Sequence, residues 1–541
     1  MHERIQERMR EPLVLTETES RTAPEVRLFA TPRTAHREPA PITWLVPVLA
    51  LGSVVLHFLS RNRYGFFRDE LYYIACGNHL AFGYVDQPPL VAVIARLSSL
   101  LLGNSLAAFR VFPALAGAGL VVLTGCMTRE LGGGRFAQGL ASIGVLLAPI
   151  YLAFGSFLSM NAFEPLFWMG CAYILVRILT GGDTRLWLLF GAVAGFGLQN
   201  KHTTLVFGFG IVVGMMVAGN WKQFRCKWFW LGGLLAFLLF LPNLIWEAQH
   251  HWPQIEVVRN CQTLKNTPVS VLGFIGEEVL FFNPVALPII VVGLGWLVLS
   301  RRGRRFRTIG WAFLIVITVV IALRGKSYYP VPFFSILLAA GGVGCETLLR
   351  NRNRLRRGYV AMLAISGAVM LPFGTPILPL GMLLRYQSLL PMENAVKMEH
   401  DSAGEVHQLY ADMMGWEGMV ATVAKVYQSL PAADQKRCAI LAGNYGEAAA
   451  IDLLGAPLGL PKAISAHNNY YYWGTRQYTG EVVILFGQRA ESMRAMFTSV
   501  EQAGTISDDH AVPAENRLPV YVCRKSKAPL AKVWPTLRYY E

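Results

Sequence analysis

Charge is scarce in this chain. Asp, Glu, Lys and Arg make up only 15% of its 541 residues, where soluble domains usually carry about 25%. The shortfall excludes a disordered polymer and argues against a cytosolic enzyme. Acids are the scarcer sign, 34 against 49 Lys and Arg, for a net charge of +15. Such an excess points to nucleic acid only when it forms one face of a folded domain. Here the basic residues sit in short clusters between long apolar runs, so no nucleic-acid partner is expected. The eight cysteines contain no Cys-x-x-Cys pair, which removes a zinc ribbon and a dense disulfide framework. No P-loop is present and no GxGxxG lies between a strand and a helix, so a cytosolic nucleotide is not indicated. No internal repeat of the kind many transporters carry is visible.

Apolar residues are what the chain has in abundance: 53%, with a mean hydropathy of +0.39. Crossing the hydrocarbon layer takes about 20 mostly apolar residues. Eleven segments qualify, at 43–60, 106–126, 136–155, 162–179, 186–199, 203–219, 228–246, 284–300, 309–323, 330–349 and 358–380. Residues 1–42 are polar with seven Arg and read as a disordered cytoplasmic tail. Residues 385–541 mix charge, Gly, Pro and short β-branched runs and read as a soluble α/β domain. The expected fold is an α-helical polytopic membrane protein, a transmembrane catalytic region at 43–384 followed by that domain.

Three basic clusters orient it: Lys222, Arg225 and Lys227; Arg301, Arg302, Arg304, Arg305 and Arg307; Arg350, Arg352, Arg354, Arg356 and Arg357. With eleven spans and a cytoplasmic N-terminus all three lie inside, as the positive-inside rule requires. The outer side then receives the loops 61–105 and 247–283, the turns near 156–161, 199–202 and 324–329, and the C-terminal domain.

The polar residues that need explaining gather on that outer side. Asp69 and Glu70 open a short helix after the first span, where the helix N-terminus favours ionised carboxylates by about 0.3–1 kcal/mol; an acidic first turn needs no function by itself. Asp86-Gln87-Pro88-Pro89-Leu90 leads into an apolar helix, 90–103, too short to span. Glu164 lies about one turn inside a span, where a carboxylate marks a site or a buried pair. Lys201 and His202 fill one outer turn; Arg324 and Lys326 precede Tyr328 and Tyr329 in another. Lys as a point charge and Tyr as a hydroxyl donor suit a phosphate, although each cation alone could simply snorkel to lipid headgroups. His250 and His251 form a pair without a spacing partner, weak evidence for a metal shared with Asp86 or Glu70. Cys438 and Cys523 border two expected strands, 438–445 and 518–524, which leaves one disulfide open.

The run from Asp69 to Leu97, with Lys326-x-Tyr328-Tyr329-x-x-Pro332 further on, resembles the GT-C glycosyltransferases of the protein O-mannosyltransferase superfamily, glycosyltransferase family 39, which also includes the aminoarabinose transferase of lipid A. The resemblance implies a bacterial inner-membrane enzyme with its C-terminal domain periplasmic or extracellular. It would move a sugar from a polyprenyl-phosphate donor to a hydroxyl of a lipid, glycan or protein acceptor. It implies Asp69 as the catalytic carboxylate with Glu70 completing an acidic pair, Glu164 as a second carboxylate position, and Lys326 and Tyr329 in a turn that approaches the donor phosphate; together with the residues read above, the expected substrate-binding set is Asp86, Gln87, Glu164, Lys201, His202, Lys326, Tyr328 and Tyr329. Gln87 stands where the family carries Lys or His, so phosphate charge falls to Lys201 or Lys326. No cofactor is required, and a divalent metal is left open. The competing expectation is a transporter of a polar or lipid-linked solute using Glu164 for proton coupling.

Overall fold

The computed structural model describes residues 41–265, 270–389, 406–488 and 490–541. The expected cytoplasmic tail therefore lies, apart from residues 41 and 42, outside the described residues.

Each of the eleven apolar segments contains helix. Six helices are long and apolar enough to cross a membrane: Leu106–Glu130, Met160–Leu179, Lys227–Gln249, Gly303–Ala322, Val331–Leu348 and Asn353–Gly374. Two further segments belong to broken pairs. Arg135–Leu146 and Pro149–Ser156 meet at 60°, and Val271–Phe281 and Pro284–Leu299 at 96°. Both breaks precede a proline in the first turn of the next helix, Pro149 and Pro284. Proline tolerates that position but drives the residue before it out of helical geometry. The remaining three, Leu45–Ser60, Leu186–Asn200 and Thr204–Val217, are shorter apolar helices. So is Leu90–Leu102, expected as an apolar helix too short to span.

Val331–Leu348 is the axis of the membrane region, with 83% of its apolar window buried. It packs against Leu287–Leu299 through Gly293 and Gly341, where a Cβ would run into the carbonyl oxygens of Leu337 and Ile289. Small residues let two helix backbones touch where water supplies no driving force.

The basic clusters gather at one end of this bundle. Arg305 donates to the Leu179 carbonyl, Asn220 to Thr308, and Arg356 to the Glu346 carbonyl, while Glu346 accepts from the Gly134 amide. The turns at 157–161, 200–203 and 324–329 lie at the other ends of the same helices.

The soluble region is built on a four-stranded sheet in the order β1-β2-β4-β3, where β1 is Cys438–Leu441, β2 is Val482–Leu485, β3 is Phe497–Ile506 and β4 is Leu518–Ser526. β1 and β2 are parallel and the other pairs antiparallel. Strand side chains alternate between faces. Ile440, Ile484 and Val522 face the helices Trp416–Ser429 and Tyr445–Leu454, and Ala439, Val483 and Cys523 face Leu530–Leu537. β2 separates the strands of Cys438 and Cys523, and both thiols are free.

The two regions share one core. Leu71, Tyr72, Tyr84 and Val91 of the first loop are buried in the same apolar cluster as Trp416, Tyr445 and Ile484. The expected boundary at 384 falls inside a helix, Leu380–Ser388. The loop 247–283 is largely helical, with Pro253–Asn260 and Val271–Phe281.

Candidate active site

A cavity of about 340 Å³ opens where the first loop, the bundle turns and the soluble domain meet. Its lining includes Asp69, Asp86, Lys201, His202, Lys326, Tyr328 and Tyr329. Seven residues from four separate stretches of sequence are thus brought to one place.

Asp69 sits in the first turn of the helix Arg68–Asn78. Its Oδ1 accepts a hydrogen bond of 2.8 Å from the hydroxyl of Tyr445. Among the described residues its Oδ2 has no hydrogen-bond partner, so one oxygen is held and the other is open to a substrate. Asp86 Oδ1 accepts from the Tyr72 hydroxyl at 2.9 Å. Burial and the adjacent carboxylates push the phenols of Tyr72 and Tyr445 well above the ordinary tyrosine range, which keeps both protonated as donors.

The cationic wall stands on Lys201. Its ammonium lies 2.7 Å from Asn161 Oδ1 and 3.0 Å from Glu164 Oε2, with the rings of Tyr328 and Tyr329 each centred 5.1 Å away. Both aromatic faces favour a cation there. Glu164 is 1% exposed and also accepts from the Thr203 hydroxyl. It lies behind the cavity and compensates Lys201. Lys326 has its ammonium 6.0 Å from the Tyr328 ring centre. His202 Nε2 is 2.9 Å from Asn243 Oδ1, and the same amide donates to the Phe82 carbonyl. That amide orientation assigns Nε2 as the donor.

Besides Glu164, two expected site residues are not in the cavity wall. Glu70 is fully buried and turned away from Asp69. Its carboxylate pairs with Arg110 at 3.3 Å, accepts from the Leu158 amide at 3.0 Å, and reaches back to the Phe67 amide at 3.2 Å. Of the expected acidic pair, Asp69 thus lines the cavity while Glu70 is buried in an ion pair beside it. Gln87 is also fully buried. Its amide points to Cys76 Sγ at 3.7 Å, inside a tight turn in which Tyr84 and Gln87 exchange backbone hydrogen bonds. His250 stacks on Trp246 and caps that helix end, away from the cavity. Among the described residues no group of three or more His, Cys, Asp or Glu could hold a metal.

Other lining residues carried weaker signals. Arg324 belongs to the same turn as Lys326. It is exposed, has a left-handed φ of 51°, and makes no ion pair among the described residues. Arg68, beside Asp69, binds Asp412 at 2.9 Å and Glu515 at 3.1 Å, clamping the helix N-terminus to the soluble domain. Asp412, Tyr445 and Glu541 line the cavity from that domain. Nothing local in the sequence ties any of the three to residue 69.

Residues 86–246 match the model of the dolichyl-phosphate-mannose-protein mannosyltransferase family. No curated protein matches the chain. Among solved structures, ArnT from Cupriavidus metallidurans bound to undecaprenyl phosphate is 14% identical, with a TM-score of 0.59 over 88% of this chain and 97% of that one. Its apo form gives a TM-score of 0.57 over the same shares, also at 14% identity. The arabinofuranosyltransferase AftD from Mycobacteria gives 0.50 at 13% identity, over 90% of this chain and 40% of that one. At such identities the likeness is one of fold. It is the GT-C fold: a multi-pass membrane bundle with a soluble domain at its C-terminal side.

Proposed function

We propose, from the GT-C fold and the mannosyltransferase-family segment, that this chain is a membrane glycosyltransferase. It moves a sugar from a polyprenyl-phosphate donor to an acceptor hydroxyl. The observation that carries this reading is the two-sided cavity: a carboxylate with one open oxygen, Asp69, faces a wall of Lys201, Arg324, Lys326, Tyr328 and Tyr329. Carboxylates alone would suit a metal, and cations alone a bound anion. The combination suits a base opposite a phosphate leaving group.

In this mechanism Asp69 Oδ2 takes the proton of the acceptor hydroxyl. The acceptor oxygen bonds to the anomeric carbon as the bond from that carbon to the phosphate oxygen breaks. The electron pair leaves with the polyprenyl phosphate, and the cations and tyrosine hydroxyls meet its growing charge. Attack from the face opposite the phosphate inverts the anomeric centre. Arg324 and Lys326 serve the phosphate directly. Lys201, tied to Glu164, acts as a fixed positive end of the wall. The donor sugar is a hexose or pentose, and the acceptor a lipid, glycan or protein. The reaction belongs on the outer face of a bacterial inner membrane, with the N-terminus and the three basic clusters in the cytoplasm. The transport reading rested on Glu164, and the Lys201 and Thr203 contacts of that carboxylate favour a structural ion pair instead.

The test is donor turnover by the reconstituted protein, wild type against Asp69→Asn, offered undecaprenyl-phosphate sugars with membrane extract as acceptor. A positioned base contributes about 10²–10⁴-fold, so the variant should release undecaprenyl phosphate at least 100-fold more slowly, a loss of roughly 3 kcal/mol or more in transition-state stabilisation. An unchanged rate would refute Asp69 as the base.

A further inference from the structure

The soluble domain reaches the reacting carboxylate directly. Tyr445 is the first residue of the helix Tyr445–Leu454, which follows the carboxyl end of β1. A capping box fixes that helix start. Asn444 Oδ1 accepts from the Glu447 amide at 2.9 Å, and Glu447 Oε2 accepts from the Gly443 and Asn444 amides at 2.6 and 3.3 Å. Such a reciprocal cap satisfies the loose amides of a helix terminus and holds its first residue in place. The ring of Tyr445 lies between Tyr72 and His467, with centres 4.7 and 4.9 Å away. Its hydroxyl has one hydrogen-bond partner among the described residues, Asp69 Oδ1.

The surrounding contacts fix both ends of this bond. Arg68 clamps the helix that carries Asp69 onto Asp412 and Glu515. The Gly65 amide donates to the Met413 carbonyl at 3.0 Å, and the Asn469 amide to the Tyr72 hydroxyl at 3.3 Å. A Cβ on Gly65 would collide with that Met413 carbonyl, so the two backbones meet with no room for a side chain.

We infer that Tyr445 of the C-terminal domain is a positioning residue for the transfer reaction, holding one oxygen of Asp69 so that the other meets the acceptor hydroxyl. The inference rests on the reading of Asp69 as the base. The domain then completes the catalytic centre. Aspartate has two freely turning χ angles. With Oδ1 pinned, Oδ2 is confined to the cavity side, and misplacing a reacting group by about 1 Å can cost on the order of 10²-fold in rate.

The experiment compares wild type, Tyr445→Phe, Asp69→Asn and the double variant in lipid, reading kcat and donor KM separately. Binding of undecaprenyl phosphate and the melting midpoint check that each variant is folded. Tyr445→Phe keeps the ring and its packing, so both checks should match wild type. The expected result is a kcat about 10–100-fold lower with donor KM within about twofold. In the Asp69→Asn background the same change should do almost nothing, because the group it positions no longer acts as a base. Wild-type kcat in Tyr445→Phe beside a crippled Asp69→Asn overturns the role of the tyrosine and leaves the functional reading standing. A full further loss in the double variant overturns it too, since Tyr445 would then act independently of Asp69. A wild-type rate in Asp69→Asn overturns the functional reading itself, and this inference with it.

Discussion

Replacing Glu70 by Gln tests whether this carboxylate holds the fold or takes part in the reaction. Glu70 is fully buried, and its charge faces the guanidinium of Arg110, itself 2% exposed. Arg110 also donates to the carbonyls of Arg61, Arg63 and Gly65 at 3.1, 3.2 and 2.7 Å. Glutamine keeps the shape and one acceptor oxygen but removes the negative charge. Breaking a buried ion pair by removing one partner costs about 3–5 kcal/mol. The three carbonyls still hold the guanidinium, which puts this case at the low end. The second change is an amide NH₂ facing either the Phe67 or the Leu158 amide, a donor against a donor, worth about 1–3 kcal/mol. The sum is roughly 4 kcal/mol against the 5–15 kcal/mol typical of a folded protein. The assay is thermal unfolding of the solubilised protein followed by size-exclusion recovery, with transfer rate measured per folded molecule. The melting midpoint should fall by several degrees, while the folded fraction keeps a rate within about tenfold of wild type. An unchanged midpoint with a loss of 100-fold or more would refute the reasoning and return Glu70 to the chemistry.

Two other perturbations read different parts of the molecule. Burial and the nearby Glu515 push the Glu447 carboxyl from its ordinary 4.5 up to about 8. The folded chain then holds a proton that the unfolded chain has lost between those values, so stability falls as pH rises from about 5 to 8, by up to about 1.4 kcal/mol per unit; Glu447→Gln should flatten the melting midpoint across that window. Arg324→Gln removes an exposed cation of the phosphate wall. Donor KM should rise about tenfold, the loss of one charge-assisted hydrogen bond, with the melting midpoint unchanged; an unaltered KM would remove Arg324 from the phosphate contact.

The membrane region was legible because it depends on composition alone. A run of about 20 apolar residues has few other fates, and each of the eleven runs holds helix. The helices Pro253–Asn260 and Val271–Phe281 escaped because 8 and 11 residues give too little periodicity beside a run of Asn, Thr and Lys. Within the site, Asp69 and Glu70 looked like a pair because they are adjacent. On a helix adjacent side chains diverge by about 100°, so when one faces a cavity the other faces the packing. Only the partner distinguishes them, and Arg110 lies 40 residues away in sequence. Glu164 and Lys201 were each visible as misplaced charges. Their pairing required knowing that the turn at 201 folds over the helix that starts at Met160. Tyr445 gave no warning, since its partner is 376 residues distant.

That separation has a consequence for how the chain is made. Ribosomes add about 5–20 residues per second, so roughly 20–75 s pass between the emergence of Asp69 and that of Tyr445. The bundle helices are synthesised during that interval, and at its end the first-loop residues Leu71, Tyr72 and Val91 still lack their packing partners from the C-terminal domain. The nascent chain is inserted but has no assembled centre, and it holds a sticky surface beside the membrane until its last third arrives to cover it. Completion of the cavity is in this sense a late event of biogenesis, reached only when Tyr445 and its neighbours have folded onto the first loop.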